Sequence, residues 1–378
     1  MLSTLTHRST RRLVVLFDHP MTFRLPLFLC LLLFSARSNA QITGGQEVYK
    51  FLHLPQSARI ASMGGLNLSM YDADVSFYLQ NPALLNAQQH GRLHLQQNFY
   101  LVGTNQLTAA YGRDVNKIGW VGGAVQYVNY GEMDITNVSG AVEGTDKSYD
   151  MMVSLAAARP ITDRLNYGVS AKYVRSNYMA FTGEALVTDV GFSYVDTAGG
   201  FTASLVGKNI GTTINSFTAG IDEELPFDIQ LGLSKRLENT PFVFSLNLHN
   251  LHRWDIRYDD PALQATDAFL TDTATKEKSY TVDKAFRHAV FGAELYLGKV
   301  LRANVGYNHL RRAELAFEER KTLGGFSFGL QLALRKFGVS YAYSIYNVAV
   351  ASNHFSLYLN TTELLPGKNK SRRFTPSI

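Results

Sequence analysis

One pattern in this sequence matches an arrangement that does chemistry in other proteins. Residues 325–329 read GFSFG, the G-x-S-x-G pattern of serine hydrolases. That pattern requires a strained strand-to-helix turn that exposes its serine. Here it lies inside a run of alternating apolar and polar residues, so Ser327 is interpreted as a side chain on the polar face of a strand. A barrel hydrolase stays as the enzymatic alternative, and it fails if Ser327→Ala leaves every activity unchanged.

The histidines and carboxylates give no metal or catalytic pattern either. His249 and His252 form the tightest histidine pair, but residues three apart on a strand face opposite sides. Adjacent acids such as Glu223-Glu224 fall in polar connections, where carboxylates are usually solvated. The sequence contains no H-E-x-x-H and no phosphate loop or dinucleotide fingerprint between a strand and a helix. We therefore predict that the protein is not an enzyme and binds no metal or cofactor.

The first forty residues are predicted to be a cleaved secretory signal peptide. Arg24 supplies the positive start, residues 25–34 supply a ten-residue apolar core, and Ser38 and Ala40 supply the small residues of a cleavage site. Because Met21 begins a complete signal, we interpret residues 1–20 as an extension from a mis-assigned start. A twin-arginine signal at Arg11 and Arg12 is the alternative.

Composition narrows the class of protein further. The chain has 378 residues, of which 12% are aromatic, 18% are charged and one is cysteine. So many apolar and aromatic residues exclude a disordered chain, and one cysteine excludes a disulfide scaffold.

Removing residues 1–40 takes away five of the 36 basic and one of the 31 acidic residues, so 31 basic and 30 acidic residues remain. A surface for nucleic acid or another polyanion is not implied.

Alternation of apolar and polar residues dominates from Arg92 onward and predicts β-strands. Segments of this kind number fourteen and are mostly about ten residues long, which matches tilted strands that cross a membrane. They are predicted near 93–102, 105–113, 117–130, 148–158, 164–175, 184–195, 200–210, 227–237, 241–251, 286–297, 300–310, 323–334, 336–346 and 352–360. We therefore predict an all-β fold, a transmembrane outer-membrane barrel of about fourteen antiparallel strands over residues 92–360.

The connections between these segments support the barrel. Short links alternate with longer ones at 131–147, 176–183, 211–226, 252–285 and 311–322. Outer-membrane barrels show this alternation, with tight periplasmic turns and long external loops. Residues 41–91 then form an N-terminal periplasmic or hatch-like segment, and residues 361–378 form a basic tail.

A secreted β-sandwich is the alternative fold, because its strands also alternate. Lys172, Asp189, Lys208, Glu294 and Arg302 at strand centres argue against it. A wet lumen accepts such groups without partners, whereas a packed core does not.

The loop over 252–284 is the strongest candidate for binding a partner. Long ordered loops often carry function, and Trp, Tyr and Arg are the usual anchors of interfaces. The candidate contact residues are Arg253, Trp254, Arg257, Tyr258, Phe269 and Tyr280. A solvated, variable external loop is the alternative interpretation.

Residues 41–91 carry a resemblance to a known family. The segment runs from Phe51-Leu52 and Pro55 to Ala58-Arg59, then to Gly64-Gly65, Asp74 and Asn81-Pro82-Ala83. This order, just before the first strand, resembles the PorV/PorQ group of outer-membrane proteins, and its PorQ-like members in particular. That group in turn is similar to the FadL-type fourteen-stranded barrels. The basic tail after the last strand departs from barrels that end on an aromatic residue.

The resemblance implies a role in the type IX secretion system of Bacteroidetes. PorQ-like proteins are non-catalytic members of a cell-surface attachment complex, in which they anchor a PorZ-like surface protein alongside PorU and PorV. We therefore expect an outer-membrane anchor whose loops at 211–226, 252–284 and 311–322 contact the partner. The alternative is a FadL-type channel for hydrophobic small molecules, with an apolar pocket lined by Phe51, Leu52, Leu54, Phe77, Tyr78 and Leu79.

Overall fold

Fourteen antiparallel strands close into a barrel in the computed structural model of the chain. The structure describes residues 47–101, 103–218, 220, 223–256, 281–315, 323–347 and 349–364. The strands are β1 (Arg92–Phe99), β2 (Asn105–Val115), β3 (Gly119–Thr136), β4 (Val142–Pro160), β5 (Leu165–Tyr178), β6 (Phe181–Asp196), β7 (Phe201–Asn215), β8 (Asp228–Arg236), β9 (Phe242–Leu248), β10 (Ala289–Leu297), β11 (Leu301–Asn308), β12 (Phe326–Ala333), β13 (Phe337–Ile345) and β14 (Ala351–Asn360). The predicted fold class and the predicted strand number are confirmed.

The first and last strands complete the closure. Every residue of β1 pairs with β14, from Arg92 opposite Asn360 to Phe99 opposite Asn353. Both ends of the barrel sequence therefore lie at one rim, which we call the terminal rim. The turns at this rim are short, whereas the opposite rim carries the longer connections and is called the loop rim.

Alternation along the strands separates an apolar outer face from a polar inner face. On β8 the side chains of Asp228, Gln230 and Ser234 are buried, whereas Ile229 and Leu231 between them face outward. The outer face suits contact with lipid hydrocarbon because it is apolar, and the closed sheet leaves no unpaired strand edge there. Within the described residues, no helix is long and apolar enough to cross a membrane.

Strand length divides the barrel into two walls. The strands β3 to β7 have 14 to 19 residues each and form the tall wall. The strands β8 to β14 have 7 to 10 residues each and form the short wall. The predicted loops at 131–147, 176–183 and 211–226 are therefore partly wrong, because strands continue into them. Water contacts both faces of these extensions, so apolar and polar residues no longer alternate there, although the hydrogen bonds between the strands continue.

The chain before β1 forms short turns inside the barrel, and we call residues 47–91 the hatch. It contains helix α1 (Ala58–Ser62) and 3₁₀ turns at Lys50–His53, Val75–Leu79, Pro82–Leu84 and Ala87–Gln89. The side chains of Ser57, Asp74, Asn81 and Asn86 each accept a hydrogen bond from a backbone N–H at the start of a turn. Such caps satisfy the free donors of a turn, which makes so irregular a segment tolerable in a buried place. The described part also has α2 (Thr281–Arg287) and α3 (His309–Leu315) at the loop rim and α4 (Thr361–Leu364) after β14.

Candidate functional site

The hatch crosses the lumen from one rim to the other. Its start lies at the loop rim, where Glu47 forms a bridge with Glu224 in the β7–β8 connection. Its end lies at the terminal rim, where the carbonyl of Gly91 accepts hydrogen bonds from the backbone N–H and the hydroxyl of Thr361, both at 2.8 Å. The segment therefore fills the lumen between these points and does more than cap the periplasmic mouth.

Arg59 links the hatch to the short wall. Its guanidinium donates to both carboxylate oxygens of Glu294 on β10 at 2.8 Å and to Asp72 of the hatch at 2.7 Å. The cation also lies over the ring of Phe77, 4.9 Å from its centre. Arg302 on β11 contacts Asp72 at 3.5 Å. These charged residues form the Arg59 cluster, in which a fork-shaped donor meets a carboxylate with two parallel bonds.

Opposite charges keep the Arg59 cluster ionised although it is buried. Burial by itself lowers the pKa of Arg59, but Asp72 and Glu294 outweigh it and hold that pKa well above its usual value. Burial likewise raises the pKa of Asp72, but Arg59 and Arg302 outweigh it and lower that pKa to about 2. Removing one partner would leave an uncompensated buried charge, which is among the costliest changes a protein can suffer.

Glycines on the inner face let the hatch backbone lie directly on the wall. A side chain at Gly306 on β11 would place its Cβ 2.1 Å from the backbone nitrogen of Gly64 and 2.2 Å from the carbonyl carbon of Met63. On the tall wall, a Cβ at Gly168 would lie 2.3 Å from the carbonyl carbon of Pro82. Backbone cannot rotate aside as a side chain can, so both positions require glycine for the observed packing.

An apolar cluster fills the space between the hatch and β2 to β6. Phe51, Leu52, Tyr78 and Leu79 of the hatch are buried in it, with Leu54 packed at its edge. The wall contributes Ala110, Ala124, Val128, Met152, Ala156, Ala158, Val174, Ala185 and Val187. Five of the six residues expected to line an apolar pocket therefore pack here, while Phe77 packs in a second cluster with Ile60 and Met63. None of the six lines any of the three cavities described below.

The charges at strand centres are partnered, so the expectation of a wet lumen without partners is wrong. Lys172 lies 2.6 Å from Asp189, and Glu294 pairs with Arg59. Lys208 donates to the carbonyl of Leu79 at 3.3 Å, and Arg302 contacts Asp72. The physical reason is the hatch, which excludes bulk water and supplies three of these four partners.

Three of the cavities formed by the described residues adjoin the hatch or the wall beside it. One of about 320 Å³ lies at the loop rim between the hatch, β8, the connection after β9, the loop-rim ends of β10 and β11, and α3, and we call it the rim cavity. A smaller one of about 90 Å³ lies at the terminal rim beside the Arg59 cluster. The third is an apolar groove of about 510 Å³ on the outer face of β8 to β12, which we call the outer groove. The described residues include no group of three or more His, Cys, Asp or Glu that could hold a metal ion.

The residues that carry the family resemblance have structural contacts in the hatch. Ala58 donates its backbone N–H to Ser356 on β14, and Arg59 forms the cluster just described. Asn81 caps the turn that begins at Pro82 and donates to Ser193 on β6 at 2.9 Å. The other residues of the resemblance pack within the hatch or between the hatch and the barrel wall. They are Phe51, Leu52, Pro55, Gly64, Gly65, Asp74 and Ala83.

The candidate partner loop is only partly described. Arg253 forms ion pairs at 3.0 Å with Glu47 and with Glu224, so its charge is used within the chain. Trp254 is 60% exposed and stacks on His288 with the ring centres 5.5 Å apart. Arg257, Tyr258, Phe269 and Tyr280 lie outside the described residues. Ser327, from the hydrolase-like pattern, is fully buried on β12 and accepts a hydrogen bond from Arg311 at 3.3 Å.

Several residues of this region were not singled out by the sequence. Gln230, Asn308 and Arg311 line the rim cavity, but they are distant in sequence and match no binding pattern. Gly292 and Gly306 form part of the floor of the outer groove. A glycine at an inward position between bulky outward residues is the one signal that predicts such a close approach.

Comparison with known proteins gives similarity in structure alone. No family model and no curated protein sequence matches the chain. The toluene transporter TodX of Pseudomonas putida aligns with a TM-score of 0.47 and 12% identity over 81% of this chain and 96% of that one. The toluene transporter TbuX of Ralstonia pickettii gives 0.45 and 11% over 82% and 98%. A FadL homologue of Pseudomonas aeruginosa gives 0.42 and 10% over 80% and 97%.

Proposed function

We propose that the protein is an outer-membrane barrel that moves hydrophobic small molecules across the membrane. The observation that carries the proposal is the outer groove, which has the volume usual for small-molecule sites and faces the lipid. Its lining is almost wholly apolar and includes Leu233, Phe244, Leu246, Phe291, Ala293, Val305 and Phe326. An apolar molecule enters such a groove from the bilayer without first being exposed to water.

The floor of the outer groove supports a route past the hatch. Gly292 and Gly306 face inward there, and Met63 and Gly64 of the hatch lie directly behind them. Only backbone therefore separates a molecule in the groove from the hatch.

Filling the groove tests the transport proposal. Ala293 faces outward at its centre, and Ala293→Trp places a bulky ring in the space. Ala171 also faces outward, on the tall wall, so Ala171→Trp is the matched control. In a Gram-negative host without such a barrel, we expect the unaltered protein to raise uptake of a radiolabelled long-chain fatty acid but not of a sugar. Ala293→Trp should lower this uptake towards that of empty cells, and Ala171→Trp should not. Equal uptake by both variants would refute the route.

A second candidate function is the anchoring role implied by the resemblance to the PorV/PorQ group. The tall wall favours it, because β3 and β4 have 18 and 19 residues, whereas a membrane strand needs about 9 to 11. Their outer ends expose Met133 at 40%, Ile135 at 40% and Val142 at 59%. Apolar side chains beyond the bilayer suit contact with another protein.

Two deletions test where a partner binds. The first replaces residues 133–146 with Asn-Gly and keeps the paired residues Glu132 and Lys147 beside the new turn. The second removes residues 254–280 from the loop. Pull-down from outer membranes in mild detergent should recover a PorZ-like surface protein, with PorU and PorV, from the unaltered chain. Loss with one deletion assigns the contact, and retention with both refutes anchoring through either element.

A further inference from the structure

The rim cavity has a chemistry different from that of the outer groove, and the inference drawn from it goes beyond the proposed function. It lies on the inside of the barrel at the loop rim, and polar or charged side chains provide most of its lining. Its volume of about 320 Å³ is at the lower end of the range for small-molecule sites. The ligand it suits is therefore small and polar.

The β8–β9 side of the cavity offers a buried donor and a buried acceptor. Asn250 Nδ2 lies 3.0 Å from His249 Nδ1, and an amide nitrogen only donates, so the neutral imidazole carries its proton on Nε2. That Nε2 is buried and has no hydrogen-bond partner in the described part of the chain. Gln230 Nε2 donates to Asp228 at 2.6 Å, which leaves Gln230 Oε1 buried and without a partner there. Buried polar atoms of this kind are costly unless something bonds them.

The α3 side of the cavity offers the cation of Arg311, beside the carboxylate of Glu314, which also lines the cavity. Arg311 donates to two neutral oxygens, Ser327 Oγ and the carbonyl of Gly64, each at 3.3 Å. It also lies over the ring of Tyr346 at 4.6 Å. The ion pairs among the described residues do not include Arg311, whereas Lys50 and Arg253 at the same cavity both pair with Glu47. A guanidinium in this position is suited to a carboxylate that approaches with both oxygens.

We propose that the rim cavity binds a short zwitterionic peptide. Arg311 binds the carboxylate, Gln230 Oε1 and Asp228 bind the ammonium, and His249 Nε2–H donates to a carbonyl between them. A simple anion would leave Asp228 facing like charge, and a neutral sugar would leave Arg311 without a counterion. A molecule with both charges matches Asp228 and Arg311 together, whereas Lys50 and Arg253 already pair with Glu47.

Calorimetry on the full mature barrel in detergent tests this proposal with alanyl-alanine as the probe. N-acetyl-alanyl-alanine amide has the same backbone but neither charge, so it is the ligand control. We expect binding of the zwitterion and none of the capped peptide. No heat with alanyl-alanine up to millimolar concentration, or equal binding of the two peptides, would overturn the proposal without any mutant.

A pair of neighbouring arginines provides the protein control. Arg311→Gln should weaken alanyl-alanine binding at least about tenfold, because a charged hydrogen-bonded partner is lost. Arg312 lies next to Arg311 on α3 but does not line the cavity, so Arg312→Gln should bind as the unaltered protein does. Unheated electrophoretic mobility shows whether each barrel is folded. Equal affinity in the two folded variants would overturn the assignment of Arg311.

Alanyl-alanine binding that persists in Ala293→Trp separates this site from the transport route.

Discussion

The two walls of the barrel hold the hatch by different means. Against the tall wall the hatch buries Phe51, Leu52 and Tyr78 in an apolar cluster. Against the short wall it forms directional contacts, such as Arg59 with Glu294 and the backbone of Leu68 with Asn247. Apolar contact is non-directional, whereas ion pairs and hydrogen bonds fix distance and angle. The tall wall also donates and accepts hydrogen bonds, as between Lys208 and Leu79 and between Asn81 and Ser193. Among the described residues, however, the strands that form ion pairs with the hatch belong to the short wall, so that wall contributes more to fixing the position of the hatch.

This difference has a functional meaning for both cavities. The outer groove and the rim cavity are lined by residues of the short wall or its connections, apart from the hatch itself and Phe201 on β7. Any shift of the hatch that changes either cavity must break directional contacts on that side. Contacts with the apolar cluster can slide with less loss, because no bond angle has to be kept.

Breaking the Arg59 cluster should have the largest effect. Arg59→Met leaves the buried Glu294 without its main counterion and removes one of the two arginine partners of the partly buried Asp72, so we expect the free energy of unfolding to fall by about 3 to 5 kcal/mol. Denaturant titration in lipid vesicles measures it. Arg335→Met removes an arginine that is paired with Glu363 on the surface, so that control should lose less than about 1 kcal/mol. Similar losses in both variants would contradict a special role for the cluster.

Replacing the glycines that face the hatch should cause the second largest loss of stability. We expect Gly306→Ala and Gly168→Ala each to cost about 1 to 3 kcal/mol, because the new Cβ meets hatch backbone. Gly123→Ala is the control, since its Cβ would have its nearest neighbour at 3.6 Å. Limited proteolysis of the hatch distinguishes the walls. Cleavage should rise more for Gly306→Ala, which displaces the directional contacts, and a larger rise for Gly168→Ala would reverse our comparison.

Protonation of Asp72 in acid should weaken its contacts at the short wall and lower the free energy of unfolding by about 2 kcal/mol at most. Its pKa is lowered to about 2 in the folded chain, below the ordinary aspartate value near 3.9. A lowered pKa means stability that is fully present above about pH 4 and is lost as the pH falls towards 2. Unfolding curves between pH 7 and pH 2 measure this loss. The slope below pH 4 should flatten in Asp72→Asn, and an unchanged slope would assign the acid sensitivity to other groups.

The smallest effect should come from a hydroxyl in the apolar cluster. Tyr78 is buried there and its hydroxyl has no hydrogen-bond partner among the described residues, so Tyr78→Phe should change stability by less than about 0.5 kcal/mol. Tyr130 instead donates to Asp150 at 2.5 Å, so Tyr130→Phe should cost about 1.5 to 3 kcal/mol. Thermal melting in detergent compares them, and an equal loss would mean that the cluster is more polar than its lining indicates.

The strands were predictable because their signal is local. The outward Phe, Leu and Val of β8 to β14 alternate with inward Ser, Asn and Gln, and one face must contact lipid whatever the inside contains. The outer halves of β3 and β4 were missed, since residues such as Lys147 and Asp134 there are solvated on both faces. Loss of alternation therefore indicated a loop where the ladder in fact continues.

The site was much less predictable. Arg59 and Glu294 are 235 residues apart, and no local pattern relates them. Pairing across the lumen depends on the register of the whole barrel, which alternation does not determine. Treating strand-centre charges as solvated was reasonable for an open lumen and wrong for one that contains the hatch. Only local features of the hatch, such as the turn that Asn81 caps before Pro82, depend on neighbouring residues alone.

The seam between β1 and β14 has a consequence for biogenesis. The hatch continues directly into β1, and it also contacts β14 through Ala58 and Ser356 and, just after that strand, through Gly91 and Thr361. The last strand to be synthesised must therefore meet the first strand and the hatch together. Contacts so distant in sequence form late and slowly. Closure of the cylinder and occupation of its interior are thus one assembly step, and an intermediate stalled before it would expose an unpaired edge and an empty interior at the same time.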